Sequence, residues 1–169
     1  MTAADVVLPV PGGAGVHRTE AAIAAANSLA LGRIQGAVAA TAALPGVASA
    51  AAATCVPADC KDISYVWAAS SHWPGGFVGA IFVTEDYFKT MGMPVTLGSW
   101  RGRARGSIAV NESLWRLLSR GQPADPARVH LTIQQHGNLD LAVAAVVGNV
   151  RNTDFQVSDF PQIYVGMEQ

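Results

Sequence analysis

The chain has 169 residues, half of them apolar and only 14% charged, and eleven basic against twelve acidic side chains leave a net charge of −1. Such a length suits one domain burying roughly two-thirds of its unfolded surface, which excludes a disulfide-dependent miniprotein. Low charge with four Trp excludes a disordered chain, and the neutral balance provides no long-range field toward nucleic acid or an anionic membrane.

In chain order, Asp5–Val10 is a short apolar strand candidate ended by Pro11-Gly12-Gly13. Thr19 reads as a helix N-cap with Glu20 in the first turn. The sequence remains helix-forming to Leu44, and Ile23, Asn27 or Ala30, Ile34 and Val38 share a face built largely of small residues. Pro45-Gly46 stops that helix, because proline disfavours continuation and glycine accepts the positive φ of a helix end. Val47–Thr54 is then expected as a buried strand, giving strand–helix–strand. Ile63–Ala69 and Phe77–Val83 both alternate; the turn-rich stretch Ser70–Gly76 between them, with His72-Trp73-Pro74-Gly75-Gly76, predicts a hairpin.

Thr84 or Asp86 is expected to cap a short helix through Tyr87-Phe88 to Met91, halted at Gly92 and Pro94. Ser107–Val110 reads as a strand, and Asn111 as the cap of a helix carrying Leu114, Leu117 and Leu118 and ending at Gly121. Val129–Gln134 alternates, His136-Gly137-Asn138 turns, Leu139–Val150 is an apolar run, and Gln162–Val165 is the last strand candidate. The class is α/β or α+β with a mixed sheet. The longest apolar tract, Ala37–Ala53, is broken by Pro45-Gly46, which a spanning helix would rarely tolerate. With no signal peptide near Met1, the chain reads at face value as cytoplasmic, or as a fragment cut from something longer.

Tests for chemistry come back negative. Neither Lys61 nor Lys89 follows a glycine, so no phosphate loop exists, and Arg18 occupies the place where Gly13-x-Gly15 would need a third glycine. There is no nucleophile elbow and no H-E-x-x-H, and His17, His72, His130 and His136 are scattered. No catalytic, cofactor-binding or metal-ligating set is expected. Cys55 and Cys60 are the only cysteines, too few to complete a zinc site. They read as two unlinked thiols or, in an oxidising compartment, as a local disulfide.

Arg101, Arg103 and Arg105 alternate with small residues in a glycine-rich loop, where a solvated loop competes with phosphate or headgroup contact. Trp67, Trp73, Trp100 and Trp115 read as core or rim aromatics; Trp73 and Trp100 fall in turns, where an exposed ring can anchor an interface. Asn111-Glu112-Ser113 starts a helix, which favours capping and dipole complementation over catalysis.

Four segments occur in a recognisable order. They are Leu44-Pro45-Gly46-Val47 after a long helix, Val83 to Pro94 (VTEDYFKTMGMP) with Leu97-Gly98 behind it, Ile108 to Leu114 (IAVNESL), and Ala142 to Arg151 (AVAAVVGNVR) followed by Pro161–Val165. In this order and spacing the chain resembles the periplasmic core domain of ABC transporter permeases of the MacB and FtsX-like type, over nearly its whole length. Asn149 stands where the pattern usually has Asp, and Gly98-Ser99 where it has glycine-arginine. The cysteine pair and the Pro-Gly turn at 74–76 lie outside the pattern.

The resemblance implies an α+β (mixed α/β) fold, with a porter-like strand–helix–strand sheet part at about 4–93 and 139–169 and a smaller inserted α/β part at about 94–138. It also implies an excised segment lying outside the cytoplasmic membrane between two membrane helices. The role is then non-enzymatic: transmission of ATP-driven movement to export or envelope partners. Those partners are the transmembrane helices of the full-length permease, a second permease copy, a cytoplasmic ATPase subunit or domain and a periplasmic adaptor, with no nucleic acid. Placement outside the membrane favours a Cys55–Cys60 disulfide. The alternative is an extracytoplasmic small-ligand module whose cleft is lined by the Trp73 loop and the arginines at 101–105.

Overall fold

The computed structural model describes residues 20–56, 63–101, 106–119, 125, 130–135, 137–150 and 160–167. The candidate strand at 5–10 and the Thr19 cap lie outside them. The elements are α1 (Glu20–Ala42), β1 (Ser64–Ser70), β2 (Trp73–Val83), α2 (Tyr87–Thr90), β3 (Val95–Gly98), β4 (Ser107–Asn111), α3 (Glu112–Ser119), β5 (His130–Gln135), β6 (Gly137–Val147) and β7 (Gln162–Gly166). Helices and one mixed sheet in a single chain make the class α+β.

The seven strands run β3-β6-β4-β7-β2-β1-β5, and β5 also pairs with β6. Six strands therefore close a ring, with β3 attached outside it along the second half of β6. The β2–β7 and β4–β6 ladders are parallel and the others antiparallel. Strands from the 94–138 stretch and from its flanks alternate in this sheet; β4 lies between β6 and β7.

Alternation explains the closure. Successive strand side chains point to opposite faces, and every ring strand turns apolar residues inward. Val66 and Ala68 of β1 meet Val78 and Ala80 of β2, Ile108 and Val110 of β4, Leu131 and Ile133 of β5, Leu141 and Val143 of β6, and Ile163 of β7. Leu114, Trp115 and Leu118 of α3 pack into the same cluster. A second core lies on the opposite face, where Ile81, Val83, Ala109, Ala145, Val147 and Tyr164 are covered by Tyr87, Phe88, Met93 and Trp100.

Three local expectations change. The 47–54 stretch is not a full strand: it makes one isolated bridge, Ala53 to Val83. Small side chains give this stretch little to pack, and two backbone bonds, Thr54 amide to Phe82 carbonyl and Thr84 amide to Ala52 carbonyl, are reinforced by threonine hydroxyls. The Ala52 amide donates to Thr84 Oγ1 at 2.9 Å, and the Phe82 amide to Thr54 Oγ1 at 3.1 Å. The hairpin turn is only Ser71-His72, with Trp73-Pro74-Gly75-Gly76 inside β2. Ser70 Oγ accepts from the His72 and Trp73 amides and tightens the turn, while a register shift between Ala68 and Ser70 accommodates the proline. Finally, neither expected residue caps α2 through its side chain. Asp86 makes no capping bond and pairs with Arg101, while Thr84 bonds Ala52.

Other expectations hold. α1 stops ahead of Pro45, with Gly46 at φ +84°. Asn111 caps α3, its Oδ1 accepting from the Leu114 amide at 3.0 Å. β3 ends at Gly98, with φ +70°, where an added Cβ would overlap the carbonyl oxygen of Ala144. Only glycine allows β3 this close to β6.

Candidate functional site

Among the described residues, the expected site residues Trp73 and Arg101 do not lie together. Trp73 starts β2, half-buried against the ring interior. Arg101 sits beyond the opposite end of the same strand, where its guanidinium donates to Asp86 Oδ1. Ten residues of β2 separate Trp73 from Val83, roughly 33 Å at the usual rise. Trp73 and Arg101 therefore stand at opposite ends of β2. Arg103 and Arg105 lie outside the described residues, as does Cys60. Cys55 is buried beside the second core and disulfide-bonded.

Trp100 is a correction. Its turn suggested an exposed anchor, but it is only 3% exposed. Its ring meets Phe88 edge-on with centroids 5.2 Å apart, and Phe88 meets Tyr164 in the same way at 5.0 Å. Tyr87 joins this stack against Phe88 and Tyr164. The Tyr87 hydroxyl donates to the carbonyl of Cys55 at 3.4 Å, and burial pushes its pKa up to about 12. The motif Tyr87-Phe88 thus fastens the 52–55 segment to the sheet, a packing role. Asp86, by hydrogen bond and charge, pushes the Arg101 pKa further up, so that guanidinium is a fixed cation on an exposed surface.

Asn111 does more than cap. The same Oδ1 accepts from the Gln162 amide at 3.0 Å, and its Nδ2 donates to the Phe160 carbonyl at 2.8 Å, tying β4, α3 and β7 together. The departure at Asn149 also has a structural place: its Oδ1 accepts from the Ser113 amide and from Ser113 Oγ, both at 3.1 Å. A carbonyl oxygen at the start of α3 satisfies amides that helical bonding leaves over. The Asn111-Glu112-Ser113 triplet and Asn149 therefore form a joint. Among the described residues, no three His, Cys, Asp or Glu side chains converge on a metal position.

Sequence reasoning missed the exposed aromatics that do share a surface. Tyr65 and Trp67 of β1 and Phe77 of β2 face outward, 55%, 37% and 63% exposed. Trp67 and Phe77 are register partners and stack edge-on at 5.3 Å, and Tyr65 meets Phe160 at 5.4 Å. The available signal was parity, since Tyr65 and Trp67 alternate with the inward Val66 and Ala68.

No protein-family model matches the chain, and no curated protein matches it. Solved structures do. The extracellular domain of the noncanonic ABC-type transporter YknZ from Gram-positive bacteria aligns with a TM-score of 0.52 at 10% identity, over 80% of this chain and 63% of that one. The periplasmic region of MacB from Actinobacillus actinomycetemcomitans aligns with a TM-score of 0.49 at 11% identity, over 79% of this chain and 54% of that one. A domain of a protein described as a permease from Porphyromonas gingivalis aligns with a TM-score of 0.46 at 11% identity, over 62% and 43%. The chain thus spans less than two-thirds of each of these neighbours. At the level of fold, it resembles the extracellular domain of an ABC-type transporter, as its motif order implied.

Proposed function

We propose that this chain is an extracytoplasmic, non-enzymatic domain of an ABC transporter permease that passes ATP-driven movement to export or envelope partners. The observation that carries the reading is the fold shared with the extracellular domain of YknZ over 80% of this chain. The body suits the task. A closed ring cored on both faces deforms little under load, because packed interiors have few alternative arrangements. Asn111, Ser113 and Asn149 are occupied in joining α3 to the sheet.

In this reading the partners are transmembrane helices of the same full-length permease, a second copy, a cytoplasmic ATPase and a periplasmic adaptor. No helix among the described residues is long and apolar enough to cross a membrane. The porter-like character and the division at about 94 and 138 belong to this proposal. Hydrogen exchange tests the division, which requires the 94–138 stretch to open separately from its sheet neighbours. An oxidising location goes with a Cys55–Cys60 disulfide; two free thiols in oxidatively purified, unfolded protein would refute that pairing.

The decisive experiment uses the natural full-length protein in intact cells. Lys89→Cys, exposed on α2, should react with a membrane-impermeant maleimide without permeabilisation. Labelling only after the membrane is breached would overturn the location and with it the function.

A further inference from the structure

We propose that the ring has one releasable seam, the β1–β5 ladder, and that β5 with the first half of β6 forms an arm that swings off β1 while the other strands stay paired. The arm follows from the ladders. β5 pairs with β6 from His130 to Gln135, but β4 joins β6 only from Ala142 and β3 only from Ala145. Among the described residues, Gly137–Leu141 therefore have β5 as their strand neighbour, and the two strands project from the sheet as a hairpin. The outer edge of that hairpin reaches β1 along Trp67–Ala69, opposite Thr132–Gln134.

The β4–β7 ladder is equally short, pairing Ile108–Val110 with Ile163–Val165, yet it is held in other ways. Ile108, Val110 and Ile163 are buried on the inner face, and Ala109 and Tyr164 on the outer one. Asn111 also bonds the Gln162 amide and the Phe160 carbonyl. The β1–β5 seam is buried on one face. Ala68, Leu131 and Ile133 point inward, whereas Trp67 is 37% exposed and Ala69 and Thr132 are half-buried. Among the described residues, the second core takes none from β1 or β5. His130 and Asp140 pair at 3.2 Å within the arm, so this contact fastens β5 to β6 and not to β1.

Release of the seam is cooperative. The arm is anchored by its ladder to β1 and by the burial of Leu131, Ile133 and Leu141. A two-stranded hairpin freed from both is marginal in water, so β5 then exposes all its amides together. Within the 94–138 stretch, β5 thus leaves the sheet before β4. Opening bares the backbone edge of Trp67–Ala69, the kind of edge on which another strand can pair.

Amide hydrogen exchange on the complete 169-residue chain tests this. Leu131, Thr132 and Ile133 should exchange at least about tenfold faster than Ile163, Tyr164 and Val165 of β7. Phe88→Leu, in the second core against Tyr164, should speed β7 exchange about tenfold and leave β5 within about threefold. β7 opens only when the whole ring unfolds, whereas the arm opens without disturbing Phe88. Ala69 and Thr132 are register partners across the seam, so a disulfide between Ala69→Cys and Thr132→Cys should slow β5 to the rate of β7. Equal exchange of β5 and β7 in the unmodified chain would overturn the proposal. So would parallel acceleration of both by Phe88→Leu, or fast β5 exchange with the disulfide formed. The membrane location is decided separately, by the maleimide labelling at position 89.

Discussion

α1 and α3 show two ways in which a helix can belong to this molecule. α3 has eight residues, four of them buried, and its apolar stripe packs into a ring to which six strands contribute. α1 has twenty-three residues with small and apolar side chains on all sides; Leu29 is 59% exposed, and only Leu31, Ile34 and Val38 on its described surface are half-buried. Amphipathy with large side chains fixes a short helix more firmly than length does, since burial scales with the apolar area removed from water.

Four measurements would break or sharpen that contrast, taken from the largest effect to the smallest. Leu114→Ala removes a fully buried side chain of α3 and should cost about 3 kcal/mol, read as a melting temperature roughly 6–12 °C lower. A loss below about 1 kcal/mol would mean that α3 is as loosely held as α1. Asn111→Ala strands the amides of Leu114 and Gln162 and should cost about 1–3 kcal/mol in denaturant unfolding.

The third concerns the tether between α1 and the sheet. Burial raises the Tyr87 hydroxyl from the ordinary tyrosine value of 10.0 to about 12 in the folded chain. The unfolded chain therefore gives up this proton first, and the stability that depends on it is present below about pH 10 and falls as pH rises toward 12. Tyr87→Phe should flatten that part of the alkaline decline in thermal melts. A decline of unchanged slope would detach Tyr87 from it. The smallest effect is expected in α1, where Leu29→Ala should change stability by less than about 0.5 kcal/mol.

The same contrast explains what could be read ahead of the structure. Local signals were legible: the stop of α1 at Pro45-Gly46, the Asn111 cap, the two arms of the hairpin and the final strand each depend on residues close in sequence. Closure of the ring was not, because it depends on β5 pairing with β1, a strand far away in the chain, and alternation reveals a face but not its neighbour. Trp100 was misplaced for a related reason. A turn fixes the backbone, while burial of the ring depends on Phe88 in another element. Asn149 could be recognised as a departure from a pattern, but its bond to Ser113 spans thirty-six positions. Of the candidate site, the packing role of Tyr87-Phe88 was invisible, and the exposed row of Tyr65, Trp67 and Phe77 was readable only by parity.

The sheet order also bears on how the chain could be cut and still persist. Strands contributed before Ser119 and after His130 interleave around it: β6 sits between β3 and β4, β7 between β4 and β2, and β5 beside β1. A nick between those two positions would leave two pieces clasped along five ladders, able to travel together on a sizing column until denaturant parts them.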